Sequence, residues 1–175
     1  APDAAGTPQV RFRGQGVATA EGLREAGLGF VSQLFGHASG QAAYDAQLGF
    51  RAGVPELEVS SPLQGLALAL PAPLDKAAAD SLPLRVETRV LDTTTGPDGE
   101  QALSDRLRVE LGPVAQPSLT LAYERDISGH TPRVLRGSIG AGLGVGEVVP
   151  LPAAGAQAHA QLEQLDVPAW ARAFN

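Results

Sequence analysis

The sequence contains no cysteine and no methionine; the lack of cysteine rules out disulfides and thiolate metal sites together. Aromatic residues make up only 5% of the 175 residues, with one Trp, two Tyr and five Phe, so any apolar surface has to be built mainly from Leu, Val and Ala. Positive charge is also in short supply. Thirteen basic residues against 19 acidic ones give a formal net charge of −6, and a chain of that sign has no footprint for gripping a phosphate backbone. Nucleic acid is therefore not an expected partner. The longest apolar run, Gly65 to Leu74, falls far short of the ~20 residues that span a bilayer, so no transmembrane segment is expected. The opening residues Ala1, Pro2 and Asp3 look like neither an initiator region nor a signal peptide, which needs a basic start and an apolar stretch. We expect a segment cut from a longer polypeptide.

What is abundant is alternation. With 43% hydrophobic residues the chain can build a sizeable core. From Ala38 to Arg51 the even positions include Ala42, Tyr44, Leu48 and Phe50, and the odd positions include Ser39, Gln41, Asp45, Gln47 and Arg51. Period two over fourteen residues predicts a strand with one dry and one wet face, roughly 46 Å long at ~3.3 Å per residue. Gly53 and Pro55 predict a turn into a second strand carrying Leu57 and Val59. At Pro62 the phase flips, making Leu66, Leu68 and Leu70 the large residues, and a bulge or bend near Pro62 to Gly65 accounts for the flip.

Further alternating runs follow: Leu84, Val86 and Val90; Leu107, Val109 and Leu111; Leu119, Leu121 and Tyr123; then Leu135, Ile139, Leu143 and Val145; and finally Ala156 to Glu163. Even positions from Ser138 to Gly146 are all Ser or Gly, so either flexible turns or the close approach of a neighbouring backbone or apolar ligand is expected there. Residues 1–8 read as a disordered lead-in and 9–175 as a single β-rich segment. A prolyl stretch from Leu70 to Pro83 predicts a crossing loop with one helical turn, and Asp92 to Leu103 a hairpin tip. Two helical signals stand out. Leu23, Gly27, Phe30 and Leu34 share one helical face, predicting a short helix near residues 21–35 closed by Gly36. Asp166, Val167 and Pro168 predict a helix start, with Trp170 and Phe174 four apart on one face. The fold class expected is mainly β, with long antiparallel strands in a curved or folded-over sheet.

Reactive constellations are not evident. His37, His130 and His159 lie far apart in sequence without metal-ligand spacing. Ser138 sits inside an alternating strand and lacks the strained G-x-S-x-G elbow. Glu56, Glu58, Asp105 and Glu110 are read as solvated, outward-facing acids. The run GSIGAGLGVG satisfies no phosphate-binding fingerprint. The expectation is a non-enzymatic chain without cofactor or metal.

At Ser61 to Leu84, the residues Ser61, Leu63, Gly65, Leu66, Leu70, Pro71, Pro73, Lys76, Pro83 and Leu84 reproduce a phrase that resembles the YhdP family of AsmA-like bacterial envelope proteins. Gly40, Tyr44 and Leu48 are similar to a strand of that family, and Leu165, Asp166 and Trp170 to its closing element. The Glu21 to Phe35 segment has no counterpart in these phrases. The resemblance implies an internal periplasmic segment of an inner-membrane-anchored protein, whose long curled sheet carries an apolar groove and moves phospholipid toward the outer membrane. Together with the alternation, it makes Tyr44, Leu48, Phe50, Leu66, Leu68, Leu70, Val86, Val109 and Leu121 the expected lipid-binding wall, with acyl chains and the remainder of the parent chain as partners. The alternative is a structural or protein-interaction β module whose apolar face is an ordinary closed core.

Overall fold

The fourteen-residue alternation is the longest strand of the chain. In the computed structural model, which describes residues 10–28, 30–51, 53–91, 94–95, 97–99 and 101–175, the strands are β1 (Arg11–Thr19), β2 (Ala38–Arg51), β3 (Val54–Ser61), β4 (Leu66–Leu68), β5 (Leu84–Val90), β6 (Thr94–Thr95), β7 (Gln101–Ala102), β8 (Ser104–Leu111), β9 (Leu119–Asp126), β10 (Arg133–Ala141) and β11 (Gly155–Ala160). The helices are α1 (Ala20–Glu25), α2 (Phe30–Leu34) and α3 (Val167–Ala173), with a 3-10 turn at Phe35–His37. One open sheet runs in the order β1-β2-β3-β5-β8-β9-β10-β11, and β4 pairs with the start of β2. All neighbours are antiparallel except β10 and β11, which run parallel. β6 and β7 form a small separate ladder. The expected lead-in, residues 1–8, and parts of the expected hairpin tip lie outside the described residues.

The phase flip at Pro62 has a geometric cause. Ser60 of β3 pairs with Asp45, and Leu66 of β4 pairs with Gly40, so the five residues between Ser60 and Leu66 lie opposite the four between Gly40 and Asp45, a one-residue offset that reverses the faces. Gly40 and Gly65 both adopt positive φ there, and a Cβ on either would collide with a backbone carbonyl oxygen of the opposite strand. Only glycine lets the two backbones close up in this way.

Several expectations are corrected. The single helix over 21–35 is two, because Gly27 at φ +67° breaks it. Gly36 does not close it either, lying inside the 3-10 turn. Thr19 caps α1 by accepting a bond from the Gly22 amide. The Leu70 to Pro83 loop has turns but no helical turn. β10 stops at Ala141, so Leu143 is buried in the following loop and Val145 is exposed. That loop folds back over Gly140, where an added Cβ would meet Leu143, Thr120 and Val149, and Gly142 lies against Gln161 and Leu162, so at these two positions the chain itself fills the space, whereas Gly146 faces open space. β11 ends at Ala160, short of the expected Glu163.

Candidate functional site: one dry face, partly covered

Residues directly opposite in a ladder point to the same side of a sheet. Gly14, Ala46, Val59, Val86, Val109, Leu121, Ile139 and Ala158 are each the registered partner of the next. One small or apolar residue from every strand of the main path therefore forms a single row across the sheet. A second row begins Phe12, Leu48, Leu57, continues through Thr88, whose hydroxyl accepts from the Leu57 amide at 2.9 Å, and runs on to Leu107, Tyr123, Gly137 and Ala156. Tyr44, Leu48 and Phe50 thus share a face with Val86, Val109 and Leu121.

The middle of that face is closed. Val86, Val109 and Leu121 are buried, the last two at 1% exposure. They belong to one cluster with Leu28, Val31, Leu34 and Phe35 of the helical segment and with Leu63, Leu66, Leu68, Leu70 and Leu74 of the chain following β3. Helices and loop therefore cover the central face. Leu66, Leu68 and Leu70 are part of this cover.

Lys76, the only lysine, pins the cover. Its buried ammonium donates to the carbonyl oxygens of Leu66 at 2.6 Å and Ala77 at 2.9 Å. Desolvation lowers its pKa, with Asp80 opposing.

The face is open toward β1. Phe12 is 57% exposed and Phe50 42%, their rings meet edge to face at 6.4 Å, and Leu57 is exposed beside half-buried Leu48. Tyr44 is half-buried, its ring lying against Gly16, the residue it pairs with. Ala156, Ala158 and Ala160 of β11 are exposed at the opposite margin. Phe12 and Leu57 were absent from the residues expected to form the wall, although their own strand parity, Phe12 with Gly14 and Leu57 with Val59, would have identified them.

At strand positions of the dry face, charge is confined to one pair among the described residues. Asp105 and Arg125 are registered partners, joined by two parallel bonds of 2.9 and 2.6 Å. Asp105 is buried, correcting its reading as an outward acid: it shares parity with Leu107, Val109 and Leu111. Glu56 and Glu58 are both half-buried, and Glu56 accepts the Val90 amide at 2.9 Å.

The opposite face is polar. Arg89 bonds Glu87 and lies within salt-bridge range of Glu56 and Glu58. Glu124 sits between Arg106 at 2.6 Å and Arg136 at 2.5 Å, and the bond from Arg136, more than that from Arg106, holds its pKa below the ordinary carboxylate value. The three histidines are scattered: His37 packs on Phe174, His159 lies 3.3 Å from Gln161, and His130 is in an exposed loop.

No helix among the described residues is long and apolar enough to cross a membrane. A family model described as YhdP protein matches residues 3–175, essentially the whole chain. No curated protein matches, and no solved structure matches.

Proposed function

The chain belongs to the YhdP family, a bacterial envelope family, and on that premise we propose that it is a non-catalytic, periplasmic segment of an inner-membrane-anchored protein whose dry sheet face holds phospholipid acyl chains in transit between inner and outer membrane. The observation that carries this reading is the open corner of the dry face, where Phe12, Phe50 and Leu57 stand exposed beside Leu48 and Tyr44. An acyl chain needs only a dry wall without specific polar partners. At ~25 cal/mol per Å² of apolar surface removed from water, one chain laid along such a wall gains several kcal/mol. The charges of the opposite face are paired with one another, Arg89 with Glu87 and Glu124 with Arg106 and Arg136. The remainder of the parent chain is the proposed partner at the outer edges of β1 and β11.

A second reading, a structural β module without ligand, is favoured by the burial of Val86, Val109 and Leu121 beneath the chain's own cover. The two readings part at Phe50. A photo-reactive phenylalanine analogue at that position, irradiated in living cells, cross-links to phospholipid under the first reading. Cross-links to protein alone, with no lipid adduct, support the second.

A further inference from the structure

The cover itself has one loosely held part. α3 contains no buried residue. It is seated by the Trp170 indole, which donates to the Ala72 carbonyl oxygen at 3.2 Å, and by Phe174, whose ring lies 5.9 Å from Phe30 and 6.0 Å from His37. Trp170 stacks on Phe174 at 5.9 Å, and Trp170 and Ala173 pack against the central cluster. Ala72 belongs to the loop after β4, and Phe30 and His37 to the helical segment, so α3 bridges the two halves of the cover.

The approach to this helix is equally lightly tied. The Gln161 amide donates to the Ala141 carbonyl oxygen at 2.9 Å as the last strand-like bond. Between Leu162 and the Asp166 cap no backbone bond to a strand is made among the described residues. The six residues from Gln161 to Asp166 are exposed apart from half-buried Leu162. A short helix with little buried area and an unpaired tether is drawn from the low-stability end of a fold.

We infer that α3 is a displaceable cap over the seam between the helical segment and the loop after β4, and that an acyl chain takes its place to reach the covered part of the dry face. This rests on the lipid-holding reading above. The chemistry of exchange is like for like: α3 offers the seam an indole, a methyl and a phenyl group, and an acyl chain replaces them without leaving a charged group unpaired. The one hydrogen bond lost, from Trp170 to Ala72, is regained from water by both partners once the seam opens. A phospholipid acyl chain is the matching occupant, because the groups that α3 withdraws, the Trp170 indole, the Ala173 methyl and the Phe174 ring, are apolar and uncharged.

The test uses the full chain and vesicles of phosphatidylethanolamine and phosphatidylglycerol. His37→Cys and Phe174→Cys place two thiols in an otherwise cysteine-free sequence, to be joined by a reducible bismaleimide linker. The linked protein is expected to take up at least threefold less phospholipid than the same protein after reduction. In the unmodified chain, vesicles whose acyl chains carry bromine should quench Trp170, the sole indole, and hydrogen exchange should rise in residues 162–174 and not in β8 or β9. Equal uptake by the linked and reduced forms, with Trp170 unquenched, overturns the cap and leaves lipid binding at the open corner intact. No uptake by either form, or by the unmodified chain, overturns both the cap and the proposed function.

Discussion

The ring of Tyr123 lies directly over Gly137, its registered partner on β10, so closely that a Cβ at 137 would fall inside the van der Waals radii of two ring carbons. Tyr44 makes the same arrangement with Gly16 on the same face toward the β1 edge, where an added Cβ would sit 2.6 Å from the phenolic oxygen. In both pairs the glycine leaves room for an aromatic ring to lie flat on the dry face, which levels the wall at each site.

The two pairs differ in what can yield. Tyr123 is buried in the central cluster and meets position 137 with ring carbons close to its root, whereas half-buried Tyr44 meets position 16 with the far end of its side chain. Gly137→Ala is therefore expected to cost about 2 to 3 kcal/mol through overpacking, and Gly16→Ala under about 1 kcal/mol. Urea unfolding of the two variants measures the difference; equal losses would show that the Tyr123 ring moves as freely as Tyr44.

Asp105 and Arg125 carry the only charges at strand positions of the dry face among the described residues, and each satisfies the other through two bonds. Removing Asp105 leaves the half-buried Arg125 guanidinium without its partner, so Asp105→Asn should lose about 3 kcal/mol. The double change Asp105→Leu with Arg125→Met removes both charges and should be far milder, within about 1 kcal/mol of the parent. A thermal melt of the single and double variants decides this, and a double variant as damaged as the single one refutes the pair as a self-contained unit.

Glu124 supplies an acid-sensitive contribution on the wet face. Its pKa lies below the usual 4.5, held down first by Arg136, then by Arg106, against desolvation. A depressed pKa means that the unfolded chain binds the proton more readily, so stability is fully present above about pH 4.5 and drains away as pH falls through the folded-state value. Glu124→Gln should lower stability near neutral pH by about 2 kcal/mol, the scale of a hydrogen bond to a charged group. It should also flatten the acid limb of a stability-against-pH curve. An unchanged acid limb would assign that limb to other carboxylates.

Much of the sheet is legible in the sequence because period two writes the faces directly. β2 begins at Ala38 and ends at Arg51 as its alternation does, and the bulge after Ser61 is forecast by the change of phase between Val59 and Leu66. The Asp166 cap of α3 is also legible, its carboxylate accepting from the Ala169 amide at 2.9 Å. The cover is not. Leu63 and Leu74 stand beside prolines outside any alternating run, and their burial follows from where the loop lands. Lys76 reads as an ordinary surface lysine until Leu66 and Ala77 present their carbonyls to it. The central wall residues were identified correctly as facing one side, yet alternation says nothing of what lies above them. For the same reason parity puts Phe12, Phe50 and Leu57 on the dry face without telling that this corner of it is uncovered.

The account stands on that corner as the place where lipid sits. The most direct test is native mass spectrometry of the chain purified from a bacterial host, beside a Phe12→Glu, Phe50→Glu double variant. Both substitutions fall on exposed side chains, so the melting temperature should shift little. The account predicts phospholipid bound to the parent chain and reduced at least fivefold in the variant. A lipid-free parent chain, or equal lipid on both proteins, contradicts it.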